Sequence, residues 1–371
     1  MSGAALRTLS ENEREVLAII WRAGSIARSD VARHTRLAQQ SVHRILQGLV
    51  EERLLRFGEP EIRGRGQPSP TVEIDPSYFT TVGIAINSEG VRYCLADLRG
   101  KLLLHGELEA HPSDREAVLS ALEQRFDCWH STLLQDRRLL GLGVSLQGYR
   151  TSAPTGRTDR LQPSRRLSIW RETPPLALFE ARFGLPCFTE NNATSSAVAE
   201  HFLGHGSNYD CFAYLSFNQG FGGGLMFQRN VFLGHHGNAG EIGTLFTDAQ
   251  KPLRPALIGL MERQRAAGMR IETMRDFLRH FSPDDPVVKN WLTEITPQLQ
   301  LAIRALKAVA DPGAIFFGGD APQALRQMLI EAAKTSFGSE NSPNPQLLLS
   351  GIEGDAAHLG AAYLPLHRTI Y

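Results

Sequence analysis

The chain has 371 residues, 42% of them hydrophobic, with 39 basic and 39 acidic side chains, the make-up of a soluble globular protein long enough for two or three domains. A formal net charge of zero means that no field of one sign draws the whole molecule to nucleic acid or to a membrane surface. The apolar runs are short and broken by charge, and a start carrying Arg7, Glu11 and Glu13 lacks a signal-peptide core, so no membrane span is expected and the cytoplasm is the expected compartment.

In chain order, Ser10 with Glu13 three residues later is a capping box, and Val16, Leu17, Ile20 and Trp21 repeat at helical spacing until Gly24 stops a first helix. A short segment over 30–34 buries Val31 and Ala32. A third helix begins at about Gln39, and its Val42, Ile45, Leu46, Leu49 and Val50 share one apolar face. That fixes the opposite face: Gln39, Gln40, Ser41, His43, Arg44 and Gln47 point outward, a set able to bond base edges and phosphates in a major groove. Over 54–71, a hairpin-like Leu55-Arg56-Phe57 precedes Arg63-Gly64-Arg65-Gly66-Gln67-Pro68. The glycines let this backbone lie against a surface while Arg63 and Arg65 offer charge to phosphates or a minor groove, although an interdomain linker accounts for the same glycines. Residues 12–70 thus read as a winged helix-turn-helix, with a helical bundle that docks another protein as the plainer alternative. The first 70 residues hold 11 Arg, no Lys and 8 acids, a small excess that suits a dimer gripping two half-sites on double-stranded DNA.

Beyond residue 80 the pattern changes. Strands are expected over 82–86, 91–97 and 102–108, then a helix over 115–134 and a strand over 140–146. The order recurs: strands over 211–217, 224–227 and 231–233 with turns over 218–223 and 228–230, a helix opening at Thr296-Pro297, and a strand over 314–317 ending in Gly318-Gly319. Two such halves give a two-lobed α/β protein with a ligand cleft between lobes. The expected division is a DNA-binding domain over 1–75 and an effector-binding and oligomerisation domain over 76–371. Cys94, Cys128, Cys187 and Cys211 form no C-x-x-C pair and read as four small buried hydrophobes, not a disulfide framework or a thiolate metal site.

Together with the winged helix, the strings GLGVSLQG (141–148), GLPCFTENNATSSAVAE (184–200), GFGGGL (220–225), GNAGEIG (237–243), DPGAIFFGGD (311–320) and GDAAHLGAA (354–362) resemble the ROK family of repressors, open reading frames and sugar kinases. The resemblance runs from about residue 12 to 365. It implies an actin-like (ribonuclease H-like) sugar-kinase fold, homodimers or homotetramers, and, in the repressor branch, DNA binding governed by a sugar or sugar derivative. In the kinases an acid follows Glu-Asn in the second string and acts as general base. Here that position is Asn192, whose amide takes up no proton near neutral pH, although Asn191 and Asn192 can both bond sugar hydroxyls or simply cap the following helix. The kinase Asp-Gly-Gly-Thr phosphate motif is replaced by Gly83-Ile84-Ala85-Ile86-Asn87-Ser88-Glu89, which puts Ala85 at the metal-organising acid and Glu89 where phosphates would lie. The family's zinc motifs are missing too: Thr244 closes Gly240-Glu241-Ile242-Gly243-Thr244 in place of a histidine, and no cysteine follows Cys211. His235 and His236 look loop-borne, without further ligands. The resemblance places Asn191, Asn192, Glu241 and Thr244 at the effector. The expected protein is a sugar-responsive repressor of carbohydrate-utilisation genes with no catalytic residues, metal or cofactor. The alternatives are an active sugar kinase with an appended DNA-binding domain, and a regulator that senses no ligand.

Overall fold

The capping box forms as the sequence predicts. Ser10 accepts from the Glu13 amide, Glu13 accepts from the Ser10 amide at 2.8 Å, and Gly24 closes helix α1 (Glu11–Ala23) at a φ of 72°. Then come strand β1 (Ser25–Ala27), helices α2 (Arg28–His34) and α3 (Gln39–Glu51), and strands β2 (Leu55–Glu61) and β3 (Ser69–Ile74) in a sheet of order β1-β3-β2. This computed structural model describes residues 6–61, 69–151, 161–337 and 343–369. Val16, Leu17, Ile20, Val31, Val42 and Leu46 are buried in one cluster that continues into Phe79, Leu140, Val198 and Tyr363. The winged module is therefore packed onto the rest of the chain as well as joined to it.

In the first lobe β4 (Phe79–Ile86), β5 (Val91–Asp97) and β6 (Leu102–Glu107) form a meander, and after α4 (Arg115–Ser131) strand β7 (Arg138–Leu146) returns parallel to β4. A ribbon of β8 (Gly148–Arg150) and β9 (Leu161–Pro163), helix α5 (Pro175–Phe183) and edge strand β10 (Cys187–Asn191) complete the lobe, with sheet order β10-β7-β4-β5-β6. β4 is buried along its whole length, Thr80 and Thr81 included, because both of its faces are covered. Helix α6 (Asn192–Leu203) leads to the second lobe, where β11 (Cys211–Phe217), β12 (Phe221–Phe227) and β13 (Asn230–Val231) repeat the meander. Helices α7 (Leu257–Ala266), α8 (Met274–His280) and α9 (Pro286–Ala310) precede β14 (Ala314–Gly318). Helix α10 (Gln323–Lys334), β15 (Gln346–Leu349) and α11 (Ala357–Thr369) follow, and the second sheet has the order β13-β12-β11-β14-β15. The two sheets share one wiring, as the sequence predicts.

Helix α6 packs on β11 and β12, α11 packs on β4, β5 and β7, and the two helices pack on each other between the sheets. The close packing of α11 needs glycine: a Cβ on Gly360 would overlap the Ser195 carbonyl oxygen of α6, and one on Gly143 of β7 would overlap the Ala361 carbonyl oxygen. Gly360→Ala is expected to cost about 1–3 kcal/mol, because both clashing groups are backbone and cannot rotate away. Gly48→Ala, on α3 with open space around it, should instead add about 0.5–1 kcal/mol. Urea denaturation of the two variants measures both, and equal midpoints would refute the close crossing.

Four expectations are corrected. No helix starts at Thr296-Pro297: α9 starts at the Asp285 cap with Pro286 in its first turn, and Pro297 lies inside it. The buried face of Trp291, Ile295, Leu299 and Ile303 keeps its spacing across Pro297, so packing outweighs the hydrogen bond the proline lacks. The turn expected over 218–223 is shorter, since β12 begins at Phe221 and takes the glycines of 222–224 into the sheet. The strand expected over 231–233 is reduced to β13, which ends at Val231. Cys94 and Cys187 are buried, but Cys211 is half-buried and Cys128 exposed, because Cys128 falls on the outer side of α4.

Candidate effector cleft and DNA-reading helix

On α3, Gln39, Gln40, His43, Arg44 and Gln47 are exposed and Ser41 is half-buried. Among the described residues none of these side chains is engaged in a hydrogen bond or ion pair within the protein, so their donors and acceptors are free for a partner. By contrast the wing arginine Arg56 is fixed to Glu73 at 2.6 Å, and Arg99 of the first lobe reaches the same carboxylate at 3.1 Å. Arg63 and Arg65 lie outside the described residues.

A cavity of about 220 Å3 lies between the lobes. Its walls are the β4–β5 turn, the start of β8, the N-terminus of α6, the β11–β12 turn, Glu241 and Asp320. Asn191 is both cap and cleft residue. Its Oδ1 accepts from the Ala193 amide at 2.7 Å, while its Nδ2 donates to Glu241 Oε1 at 2.9 Å and to the Gly148 carbonyl. Asn192 is buried: its Oδ1 accepts from the Ser145 hydroxyl at 2.6 Å and its Nδ2 donates to the Ile86 carbonyl at 3.3 Å. Both ends of that amide tie α6 to β4 and β7. Glu241 is half-buried and stands near Glu190, which is bonded to buried Arg150 at 2.7 Å. Burial first, then repulsion by Glu190, pushes the Glu241 carboxyl up to about 7. Asn238 holds this loop to the first lobe by pairing both backbone groups of Arg150, at 2.7 and 2.8 Å. Thr244 is not brought to the cavity. It is exposed, and its hydroxyl donates to the Glu241 carbonyl oxygen at 2.7 Å, because the turn after Glu241 points it outward.

The lobes also meet through Glu89, singled out from the sequence for its charge, and through Ser88, Gln219, Arg92 and Asp320, whose contacts the sequence did not indicate. Ser88 donates to Gln219 Oε1 at 2.8 Å, Gln219 donates to Glu89, and Glu89 accepts from the Met274 amide at 3.1 Å. Arg92 joins Asp320 at 3.2 Å. Gln219 flanks the glycine string over 220–225 and Asp320 ends the one over 311–320, but no local signal reports partners more than 100 residues away.

Two wired-alike lobes, a cleft at their junction and an Asn-capped helix entering it coincide with the family match, which covers residues 81–254 and is to the ROK family. The chain carries a ROK family domain. Over 99% of its length it is 25% identical to 93% of the uncharacterized protein y4fQ of Sinorhizobium fredii. It is 26% identical to the DNA-binding transcriptional dual regulator NagC of Escherichia coli, over 62% of this chain and 56% of NagC, so that match spans little more than half of the regulator. The beta-glucoside kinase of Listeria monocytogenes is 28% identical over 59% of this chain and 77% of the kinase. A crystal structure of a ROK family transcriptional regulator, a homolog of the E. coli MLC protein, superposes with a TM-score of 0.72 at 20% identity, covering 97% of this chain and 96% of that one. The fold, winged module included, is thus one already seen in a regulator. Among the described residues no helix is long and apolar enough to cross a membrane.

Proposed function

We propose that this protein is a sugar-responsive DNA-binding transcriptional regulator, a repressor whose ROK domain senses its ligand without phosphorylating it. The observation that carries the reading is the pairing, on one packed chain, of an unengaged polar helix face and a cleft whose base position is an amide. Asn192 takes up no proton near neutral pH, and both ends of its side chain are already bonded inside the protein. Glu89 and Gln219 bond each other across the corner where a nucleotide's phosphates would approach, and the carboxylate there opposes their charge. Those features argue against the kinase alternative, which the likeness to kinases keeps in view. The cavity is smaller than the roughly 300–1,000 Å3 of drug-sized sites and suits a single sugar unit bonded by Asn191 and Glu241. Binding as a dimer would place two α3 helices on successive half-sites.

The test uses the full chain on promoter fragments. Arg44→Ala and Gln40→Ala are each expected to cost about 1–3 kcal/mol in specific binding, read by fluorescence anisotropy, with little change on random duplex. Arg65→Ala should weaken binding to any sequence and reduce the salt slope by about one. Equal affinity of all three variants for the specific fragment would remove α3 from the groove. A coupled assay showing sugar-dependent ADP release would replace the sensor reading with the kinase one.

A further inference from the structure

Two cavities of about 370 and 360 Å3 lie side by side in the seam between the winged module and the ROK domain, sharing Phe202, Arg229 and His367 on their walls. One side of the seam is a single face of α1, on which Arg14, Ala18, Trp21 and Arg22 follow one another at helical spacing. The other side is the β12–β13 turn. There Gln228 and Arg229 both adopt left-handed backbone, with φ of 49° and 64°, where Asn or Gly would sit with less strain. The surrounding structure holds an arginine at a turn position that does not favour one.

The charges at this seam do not cancel. Among the described residues the Arg14 side chain has no partner, and its Nε is buried. Arg22 has none either, and Arg229 makes only a 3.4 Å pair with largely exposed Asp210. Among the described residues the one carboxylate on the cavity walls, Glu190, is bonded to Arg150. His201 lines the second cavity at 6% exposure with its Nδ1 unpartnered. The buried Arg14 donor left unbonded costs free energy, and Arg14 and Arg229 facing one cavity, with Arg22 on the wall of the next, call for an anion. Apart from His367, the rest of the first cavity is mostly apolar, with Val198, Met226, Leu233 and Tyr363 on its walls.

We infer that this seam is a second ligand site, for a phosphomonoester with an apolar carbon body. The phosphate would sit between Arg14 and Arg229, with Arg22 adding charge from the adjoining cavity and the body laid on Phe202, Met226 and Leu233. A phosphomonoester carries close to two charges at neutral pH, and its oxygens match the guanidinium fork better than a single carboxylate does. A ligand here bridges α1 to the second lobe and so fixes the winged module in one orientation, an input separate from the interlobe cleft.

Isothermal titration calorimetry of the full chain at low salt tests this with phenyl phosphate, inorganic phosphate, benzoate and benzyl alcohol as probes. Phenyl phosphate is expected to bind at least about tenfold more tightly than inorganic phosphate or benzoate, weakening as salt is added, and benzyl alcohol to give no signal. Arg14→Gln and Arg229→Gln should each weaken phenyl phosphate at least about tenfold, Arg229→Lys should keep part of the affinity, and Lys289→Gln, on the exposed side of α9, should change nothing. Absence of phenyl phosphate binding at millimolar concentration overturns the inference. So does equal affinity for benzyl alcohol, or undiminished binding by Arg229→Gln or Arg229→Lys protein that melts like the parent.

Discussion

Phe202→Ala is expected to disconnect the two ends of the protein: ligand binding in the cleft and operator binding by α3 should each survive, while the ligand ceases to change operator affinity. The reason lies in α6. Its residues from Asn192 to His201 are all buried between the sheets, its first turn lines the cleft beside Asn191 and Glu241, and Phe202 closes its far end. Twelve helical residues span about 18 Å, so displacement at the cap reaches the other end in one rigid body. There Phe202 stacks on Tyr363 of α11 with ring centroids 4.4 Å apart and planes 4° apart, and meets Trp21 of α1 edge-on at 5.0 Å. A ligand that pulls on Asn191 or Glu241 in one state and not the other thereby biases the seat of the winged module. A tenfold ligand effect on operator affinity is about 1.4 kcal/mol, which making or breaking a single aromatic pair can supply. Operator titrations with and without ligand give the coupling directly. A ratio in Phe202→Ala equal to that of the parent would show that the signal travels elsewhere. Phe202→Leu, which keeps apolar volume but not the stack, should give an intermediate ratio.

What was legible in the sequence follows the range of the forces involved. The Ser10 box, the Gly24 stop and the apolar face of α3 depend on residues within one or two turns, and they form as read. Asn192 was legible because a missing carboxylate is a fact of residue identity that no packing alters. Pro297 misled because its local meaning was overruled by Trp291 and Leu299 packing on the second lobe. Helices α6 and α11 are harder to see: buried on nearly every side and rich in alanine, they show little of the one-sided periodicity that marks a surface helix. Thr244 was placed by its neighbours in a string, and a string does not say which way a side chain points. The Glu89–Gln219 and Arg92–Asp320 contacts join distant segments, and only the closed fold brings them together. The fold class and the amide at the base position were thus open to reading, whereas the bonds that hold the lobes together were not.

Affinity for the cleft ligand should rise by about tenfold per pH unit up to about 7 and then level off, and Glu241→Gln should flatten that profile at a lower affinity. The carboxyl of Glu241 is held at about 7 by burial and by Glu190, so near neutrality it is only partly ionised. Sugar hydroxyls donate most strongly to the ionised form, which accepts on both oxygens, and one of these already takes the Asn191 amide. Binding therefore releases a proton below about pH 7, and calorimetry in two buffers of different ionisation enthalpy would count it. The same shift has a sign for the empty protein. A carboxyl raised from 4.5 to about 7 favours the folded chain fully below pH 4.5, and that contribution is lost as pH climbs through about 7. Glu241→Gln should consequently stabilise the unliganded protein at pH 8, by on the order of 1–2 kcal/mol after screening at a half-buried site, and do little at pH 4.5. A variant that binds ligand as the parent does at every pH, with unchanged melting at pH 8, would remove Glu241 from the site. One that melts higher but still binds in parallel with the parent would keep the buried charge and assign ligand recognition to Asn191 and the cleft backbone instead.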